Sequence, residues 1–309
     1  MRAWLLLLTL AGWASASVLR ADEGGAYLYI LGVAQDAGYP QAGCYQPHCM
    51  PGWLDPRLRR GATSIALIDG NTKATYLFDA TPQLPEQLYA LQIEAPADQF
   101  RLSGVFLTHA HMGHYAGLMY LGQEAMASKN WPVYAMPRMQ KYLRDNGPWS
   151  QLVAYGNISL RDLNEGSPVD LAGIKVTPIL VPYRDEFSET VGYKIATHGK
   201  VALFIPDVDK WSKLDTNIAE MVAEVDDALL DATFFEAGEL PGRDMSKVPH
   251  PLVTETMQAL DDLSMKQRNK VWFIHMNHTN PLLDRDSDQT TIVLSADFNI
   301  AAEGTRLPL

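Results

Sequence analysis

The chain has 309 residues, of which 47% are hydrophobic and 20% are charged, so it is long enough to bury a large core in one or two domains. Its formal net charge is −11 at pH 7. This acidic balance argues against non-specific nucleic-acid binding, because that binding depends on Lys and Arg contacts to phosphate.

The first 17 residues have the pattern of a secretory signal peptide. Arg2 supplies the positive start, residues 4–11 form an apolar run, and residues 14–16 form a small-x-small cleavage site. The apolar run is short for a membrane span, and no later segment is long and apolar enough to be one. We therefore expect a periplasmic or secreted protein in which residues 18–309 form a single domain. An uncleaved anchor is the alternative.

A long loop follows the first predicted strand, residues 26–33. It contains the two cysteines of the chain, Cys44 and Cys49, with His48 between them. Long loops inside compact domains are usually functional or cross-linked. Two interpretations fit these residues: a disulfide, which an oxidising compartment favours, or a structural zinc held by Cys44, His48, Cys49 and a distant fourth ligand.

Strand and helix patterns alternate along the rest of the chain. Gly70-Asn71 is a hairpin signal between two strands, and His198-Gly199-Lys200 joins a second pair. This order fits an α/β fold, an αββα sandwich in which two mixed sheets pack face to face with helices outside. The predicted strands are residues 63–69, 74–79, 104–107, 132–135, 158–163, 174–181, 191–196, 201–205, 228–235 and 271–274, and the predicted helices are residues 82–92, 115–128, 137–146, 213–225 and 251–263.

Three of the eight histidines, His109, His111 and His114, lie within six residues. They follow the apolar strand 104–107 and precede the predicted helix 115–128, so they occupy a strand-to-helix turn. A turn lets positions i, i+2 and i+5 converge, and neutral imidazole is the commonest side-chain ligand of metals. The pattern therefore predicts a metal site, with three unrelated loop histidines as the alternative.

Two further candidate ligands also follow buried strands. Asp207 comes after strand 201–205, and His275 comes after strand 271–274. A set of His and Asp ligands suits zinc, iron or manganese. A catalytic zinc uses about three protein ligands and leaves one position for water.

Other polar residues near these strand ends have simpler interpretations. His278 competes with His275 but lies farther from its strand. Asp79 fits a turn or helix-cap residue. His250, between two prolines, is predicted to be structural rather than a ligand, as are Glu236 and Glu239, and the tail after Pro281 is predicted to be extended.

The stretch THAHMGH, residues 108–114, resembles the H-x-H-x-D-H signature of the metallo-β-lactamase superfamily. Within that superfamily the chain resembles the coenzyme PQQ synthesis protein B branch, through LGVAQDAGYPQ at residues 31–41, leading to Cys44, and FIHMNHTNP at residues 273–281. The resemblance covers most of residues 18–309. It implies a structural zinc at the cysteine loop. It also implies an early strand-end aspartate at Asp79 and metal ligands at His109, His111, His114, Asp207, which bridges two metals, and His275.

Two positions depart from the family pattern. Gly113 stands where the signature has an aspartate ligand, and Tyr183 stands where a histidine ligand is expected after strand 174–181. Each of the two metal positions therefore lacks one ligand, and we do not expect a full dinuclear site. His109, His111 and Asp207 would suffice for one metal, or His114, Asp207 and His275 for another.

Three functional hypotheses follow. The first is an exported metal-dependent hydrolase in which a metal-bound hydroxide attacks an ester, lactam or phosphodiester of a small-molecule substrate. Asp207 would hold the metal and orient the water, and Tyr183 would donate a hydrogen bond to the substrate or oxyanion. The expected cofactor is one or two zinc ions, with iron or manganese as alternatives.

The second hypothesis is a non-hydrolytic protein of the PQQ branch that oxidises a precursor or binds PQQ or a related small molecule. The third is a degenerate scaffold without catalysis.

Overall fold

The computed structural model describes residues 25–309, so the predicted signal peptide lies outside the described residues. The strands, in chain order, are β1 (Ala26–Gly32), β2 (Ser64–Asp69), β3 (Ala74–Phe78), β4 (Arg101–Phe106), β5 (Trp131–Ala135), β6 (Ile158–Asp162), β7 (Val169–Leu171), β8 (Ile174–Leu180), β9 (Val191–Ala196), β10 (Val201–Ile205), β11 (Asp227–Asp231), β12 (Val271–Ile274), β13 (Asn299–Ile300) and β14 (Arg306–Pro308). They form two seven-stranded sheets, with the orders β14-β1-β2-β3-β4-β5-β6 and β13-β12-β11-β10-β9-β8-β7. Apart from β14, the first half of the chain forms one sheet and the second half the other.

Both sheets are mixed. Strands β1 to β3 are antiparallel and β3 to β6 are parallel. In the second sheet β7 to β10 are antiparallel and β10 to β13 are parallel. Both predicted hairpins are therefore confirmed, as β2–β3 and β9–β10. The parallel strands of each sheet carry the loops that form the candidate site.

The helices are short. No helix in the described part of the chain combines the length and apolar character that crossing a membrane requires. The α-helices are α1 (Met50–Leu54), α2 (Leu84–Glu94), α3 (Met112–Tyr115), α4 (Pro137–Asp145), α5 (Trp149–Ala154), α6 (Ile218–Ala223), α7 (Val253–Ala259), α8 (Met265–Arg268) and α9 (Asp288–Ser295), and the 3₁₀ helices are Pro56–Leu58, Ala116–Leu121, Trp211–Lys213, Met245–Lys247 and Pro281–Leu283.

The core has two layers, and this confirms the predicted αββα sandwich. Between the sheets, Phe78 of β3 stacks on Phe106 of β4 with ring centroids 5.2 Å apart, and Tyr193 of β9 meets the edge of Phe78, also at 5.2 Å. A second apolar cluster lies between the outer face of the first sheet and its helices, where Leu84 and Leu91 of α2 are buried. Burial of these apolar surfaces is the main stabilising contribution to such a fold.

The predicted helix over residues 115–128 is wrong. The segment is one turn of α3 followed by the 3₁₀ helix Ala116–Leu121. Gly117 packs so closely on the preceding strand end that a Cβ there would lie 2.1 Å from the carbonyl oxygen of Thr81. The amide of Gly117 donates to the carbonyl of Ala80 at 2.9 Å. Docking on this backbone prevails over the helical propensity of the segment and holds the histidine turn against β3.

The tail after Pro281 is not simply extended, as the sequence suggested. It forms the helix α9 and two short strands. The last strand, β14, pairs antiparallel with β1, with Tyr27 opposite Pro308. The C-terminal residues therefore close the edge of the first sheet.

Glu239 links two loops on the second sheet. Its carboxylate accepts hydrogen bonds from the backbone amide of Phe235, after β11, and from the hydroxyl of Thr279, after β12. Burial raises the pKa of Glu239 from an ordinary value of 4.5 to about 7. This places Glu239 in the structural role predicted for it, outside the candidate site.

We expect Glu239 to make the free energy of unfolding depend on pH. Because its pKa is higher in the folded chain than in the unfolded chain, its contribution is full below about pH 4.5 and is lost as the pH rises through about 7. The difference in free energy of unfolding between wild type and Glu239→Gln should fall by about 1–3 kcal/mol from pH 5 to pH 8. Urea titrations at several pH values measure it, with Glu236→Gln at an exposed neighbour as the control. A difference that does not change with pH would contradict the prediction.

Candidate metal centre

The site is built around the carboxylate of Asp207, which follows β10 and is almost completely buried. Three imidazole nitrogens surround it. The Nε2 atoms of His114, His275 and His109 lie 2.9, 3.2 and 3.9 Å from Oδ2 of Asp207. These residues follow β10, β12 and β4, so the loops of both sheets meet at one point.

These atoms lack aligned hydrogen-bond partners. Among the described residues, the Nε2 atoms of His109, His114 and His275 and both carboxylate oxygens of Asp207 are buried without one. Buried polar groups in folded proteins are almost always paired, because leaving them unpaired costs free energy. A metal ion among these atoms would satisfy all of them, so the residues present fit the metal that the ligand set suggests.

The distances agree with this interpretation. Ligands at about 2.0–2.1 Å from a tetrahedral zinc are separated by roughly 3.3 Å. The distances from Asp207 Oδ2 to His114 and His275 are 2.9 and 3.2 Å. Three groups of side chains in the described chain bring one ligand atom each within 4.8 Å of one another around this point: Asp36, His114 and His275; His109, His114 and Asp207; and Asp207, His250 and His275.

An outer aspartate orients the histidines of the first sheet. Asp79, at φ 66°, follows β3 and is fully buried. Its Oδ2 lies 2.6 Å from Nδ1 of His114, and it accepts hydrogen bonds from the amide and hydroxyl of Thr108. The Thr108 hydroxyl in turn lies 3.0 Å from Nδ1 of His109. Asp79 therefore occupies a turn, as predicted, but it also fixes the rings so that Nε2 faces the centre, which is a common second-shell arrangement at metal sites.

The second sheet repeats this arrangement. Asp231, at the end of β11, accepts a hydrogen bond from the Thr233 hydroxyl at 2.7 Å, and that hydroxyl lies 2.9 Å from Nδ1 of His275. Asp231 also contacts Nδ1 of His250 at 2.8 Å. His250, predicted to be structural, is thus buried inside the centre. Sequence reasoning missed Asp231 and Thr233, because one aspartate and one threonine at a strand end carry no distinctive signal.

Electrostatics separates the roles of the histidines. Burial, followed by the charge of His114, lowers the pKa of His109 well below its usual range, so His109 is neutral. Burial alone would lower the pKa of His114, but the carboxylates of Asp79 and Asp207 hold it well above its usual range. The pKa of Asp207 lies well below its usual range, because the charges of His275 and His114 outweigh the opposite effect of burial.

Asp36 is a site residue that sequence reasoning missed. It lies in the loop after β1, is half-exposed, and places Oδ1 3.4 Å from Nε2 of His114. The sequence offered only an indirect signal for Asp36. Gly113 leaves the signature without its carboxylate, and Asp36 lies in residues 31–41, one of the stretches that carry the family resemblance.

Two predicted residues stand at the edge of the centre. His111 belongs to none of the three ligand groups, and its Nε2 lies 3.4 Å from both Glu186 Oε2 and Arg184 Nη2. Tyr183 packs its ring against those of His109 and His111, with centroids 5.4 and 5.2 Å away. Its hydroxyl lies 2.9 Å from Nε2 of His250.

The centre opens into a cleft of about 410 Å³. Asp36, Tyr183 and His250 line its inner end, and the guanidinium groups of Arg184 and Arg243 line its walls. A small molecule that enters the cleft would meet the phenol and two positive charges before it reaches Asp207.

The cysteine loop lies next to this cleft. Cys44 and Cys49 form a disulfide with a Cα–Cα distance of 6.0 Å. His48 and His278 lie beside it, and all four side chains offer ligand atoms within 4.8 Å of one another. His278 therefore occupies the place of the distant fourth ligand. Only the reduced cysteines would act as metal ligands, because the thiolate is the ligand form.

Comparisons with known proteins agree with this geometry. The family model described as "Beta-lactamase superfamily domain" matches residues 74–276, which is more than half of the chain. A coenzyme PQQ synthesis protein B from Methylorubrum extorquens (strain PA1) is 26% identical, with 92% of this chain and 100% of that protein covered.

Solved structures show the same fold. The crystal structure of Zn²⁺-bound PqqB from Methylobacterium extorquens superposes with a TM-score of 0.77 at 24% identity, covering 92% of this chain and 100% of that one. A diphosphatase from the PhnP family has a TM-score of 0.66 at 21% identity, covering 92% and 97%. The chain therefore belongs to the metallo-β-lactamase superfamily, and it is similar to the PqqB proteins within it.

Proposed function

We propose that the chain is a metal-dependent hydrolase whose centre is built on Asp207, His114, His275 and His109. One observation carries the proposal: three buried imidazole nitrogens that lack aligned hydrogen bonds converge on one buried carboxylate. A structural core would satisfy such groups with hydrogen bonds, and a scaffold without chemistry has no physical reason to bear their cost. Zinc fits this His and Asp set, and manganese and iron are also compatible with it.

When bound, the metal supplies an activated water and polarises the group to be cleaved. The other roles in the reaction belong to side chains of the protein. Asp207 would hold the metal and orient that water. Asp79 and Asp231 keep the histidine rings fixed through Thr108 and Thr233.

Tyr183 is placed to donate a hydrogen bond to the substrate. Its ring packs on that of His109, and its hydroxyl lies 2.9 Å from Nε2 of His250. Although burial acts in the opposite direction, the carboxylates of Asp231 and Asp207 raise the pKa of His250, so its Nε2–H donates to the phenol oxygen and leaves the phenol proton for the substrate. Burial, followed by the charges of Asp207 and Asp231, raises the pKa of Tyr183, so the phenol keeps its proton. A protonated phenol stabilises negative charge that develops on the substrate.

The cleft favours an anionic substrate. Arg184 and Arg243 line its walls, and guanidinium groups bind phosphate and carboxylate oxygens in paired hydrogen bonds. Of the ester, lactam and phosphodiester classes, we therefore propose a phosphodiester of a small molecule.

A second candidate function rests on the sequence relatives. The chain is 26% identical to coenzyme PQQ synthesis protein B over 92% of its length. A non-hydrolytic role in oxidising or binding a related small molecule would use the same centre with a redox-active metal such as iron.

We also propose that the protein is exported to an oxidising compartment. The signal-peptide pattern of residues 1–17 and the disulfide between Cys44 and Cys49 support it together, because disulfides persist outside the reducing cytosol.

Removing the outer aspartate should weaken metal binding without removing a ligand. We expect Asp79→Asn to lower zinc affinity by about 10–100-fold, because His114 and His109 lose the acceptor that fixes their orientation. Competition titration against a zinc chelator measures the affinity. Asp69→Asn, at a buried turn aspartate distant from the centre, is the matched control. Equal affinity in Asp79→Asn and wild type would contradict the second-shell role.

The zinc-loaded protein should cleave bis(p-nitrophenyl) phosphate faster than p-nitrophenyl acetate or nitrocefin. Tyr183→Phe should lower kcat by about a hundredfold with unchanged metal content, because one donor to developing charge is lost. Tyr155→Phe, at an exposed tyrosine, should leave kcat unchanged. A metal-loaded protein that cleaves none of the three substrates would contradict the hydrolase proposal, and activity restricted to an iron-loaded form with an oxidisable substrate would favour the second candidate.

Export can be tested on the full chain. Expressed in a Gram-negative host, the protein should appear in the periplasmic fraction with its N-terminus near residue 18 and with no free thiols in mass spectrometry. Replacing the apolar residues 5–8 with serines should retain it in the cytosol at full length. A full-length wild-type protein in the cytosolic fraction would contradict export.

A further inference from the structure

The family signature has an aspartate ligand at the position of Gly113, and this chain has none there. Without that carboxylate, the metal position next to His114 would have only His114, His275 and Asp207 as protein ligands. The loop after β1 approaches this gap from the other side of the site.

We propose that Asp36 supplies the carboxylate that is missing at position 113, so that it joins His114 and His275 as a protein ligand of the metal position beside Asp207. This rests on the metal centre of the proposed function. It assigns a ligand of this centre to the loop after β1, for which the sequence predicted only the separate cysteine site.

Asp36 occupies the space into which a side chain at position 113 would point. A Cβ built on Gly113 would lie 2.3 Å from the Cα of Asp36, 2.5 Å from its Oδ1 and 2.9 Å from its Cβ. Real Cβ atoms do not approach other heavy atoms so closely. The backbone of Asp36 and any side chain at position 113 therefore exclude each other, and the carboxylate of Asp36 lies where a ligand from position 113 would begin.

The carboxylate faces two unsatisfied ligand atoms. Oδ1 of Asp36 lies 3.4 Å from Nε2 of His114, and Asp36, His114 and His275 offer ligand atoms within 4.8 Å of one another. The Nε2 atoms of His114 and His275 are buried and lack aligned hydrogen-bond partners. The 3.4 Å distance from Asp36 to His114, and the 2.9 and 3.2 Å distances from Asp207 to His114 and His275, are each close to the roughly 3.3 Å that separates two ligands of a tetrahedral zinc.

The loop is fixed on both sides of Asp36. The amide of Gln35 donates to the carbonyl of Met276, next to the ligand His275, at 2.8 Å. The side chain of Gln83 donates to the carbonyl of Ala37 at 3.0 Å. Asp36 itself has φ 34°, which is unfavourable for a residue with a Cβ. The surrounding hydrogen bonds hold it there, as expected for a residue whose position serves a site.

Asp36→Asn is the decisive variant, because it keeps the shape of the side chain and removes the charged ligand. Zinc titration by calorimetry and zinc content by elemental mass spectrometry should be measured on oxidised protein, so that the cysteines bind no zinc. We expect the affinity of the strongest zinc position to fall at least about a hundredfold, since even an outer-shell loss costs 10–100-fold. The melting temperature without zinc should match wild type. Asp185→Asn, at an exposed aspartate that pairs with Arg138, is the control and should bind zinc as wild type does.

A second variant separates the ligand role from a general effect of charge. Asp36→Asn/Ala37→Asp returns one negative charge to the exposed neighbouring position without a carboxylate at residue 36, so zinc affinity should stay as low as in Asp36→Asn. Gly113→Asp should destabilise the protein, because the new side chain collides with the Cα of Asp36.

Two results would overturn the proposal: wild-type zinc affinity in Asp36→Asn, or recovery of wild-type zinc affinity in Asp36→Asn/Ala37→Asp. Both results are independent of catalysis. Weakened zinc binding in Asp36→Asn in a protein that cleaves no ester would remove the hydrolase proposal and leave Asp36 as a ligand. Unchanged zinc binding in Asp36→Asn, in a protein that is an active hydrolase, would remove Asp36 as a ligand and leave the hydrolase proposal.

Discussion

The structure depends on the buried carboxylate of Asp207 and the three imidazole nitrogens directed at it. Such a cluster is unfavourable in isolation, because it removes a charge and several polar atoms from water. The packing of the two sheets across a large apolar interface offsets this unfavourable free energy. Rigid strands then hold the cluster in place, since every member follows the carboxyl end of a strand or a loop fixed to one.

The two halves of the chain solve the same orientation problem in the same way. Asp79 acts through Thr108 on His109 and directly on His114. In the second sheet, one aspartate likewise acts through one threonine on His275 and directly on another histidine. In His109, His114 and His275 these contacts occupy Nδ1 and leave Nε2 for the centre, whereas Nε2 of His250 contacts the hydroxyl of Tyr183. This repetition gives every inward-facing ring a fixed orientation before any metal binds.

Much of this was accessible from the sequence. The αββα sandwich, both hairpins and the candidate ligands His109, His114, Asp207 and His275 followed from buried apolar runs and from polar residues at their ends. The errors have local physical causes. The helix over residues 115–128 has helical propensity, but close packing of Gly117 on the strand before it replaces the helix with a 3₁₀ turn. The short strands β7, β13 and β14 are too brief to show a period.

The second class of error concerns residues whose role exists only in three dimensions. His250 looked structural between its prolines, and its place in the centre depends on Asp231, which lies 19 residues earlier. Asp36 is farther still from the histidine turn along the chain. No periodicity joins such residues, because the contact is made by the folding of two sheets against each other.

These long-range contacts change how a degraded motif should be interpreted. A signature such as H-x-H-x-D-H describes ligands by their order in the chain, but metal binding depends on where the ligand atoms lie in space. Where Gly113 opens space, the loop after β1 fills it with the backbone and carboxylate of Asp36. Gly113 and the close approach of Asp36 therefore go together, because any side chain at position 113 would collide with the Cα of Asp36. Tyr183 is a different case. Its phenol stands where the family signature has a histidine and contacts His250, but a phenol is not an equivalent metal ligand. On the proposals made above, Asp36 would rebuild one position of the centre, and Tyr183 would serve the other by hydrogen bonding instead of by metal ligation.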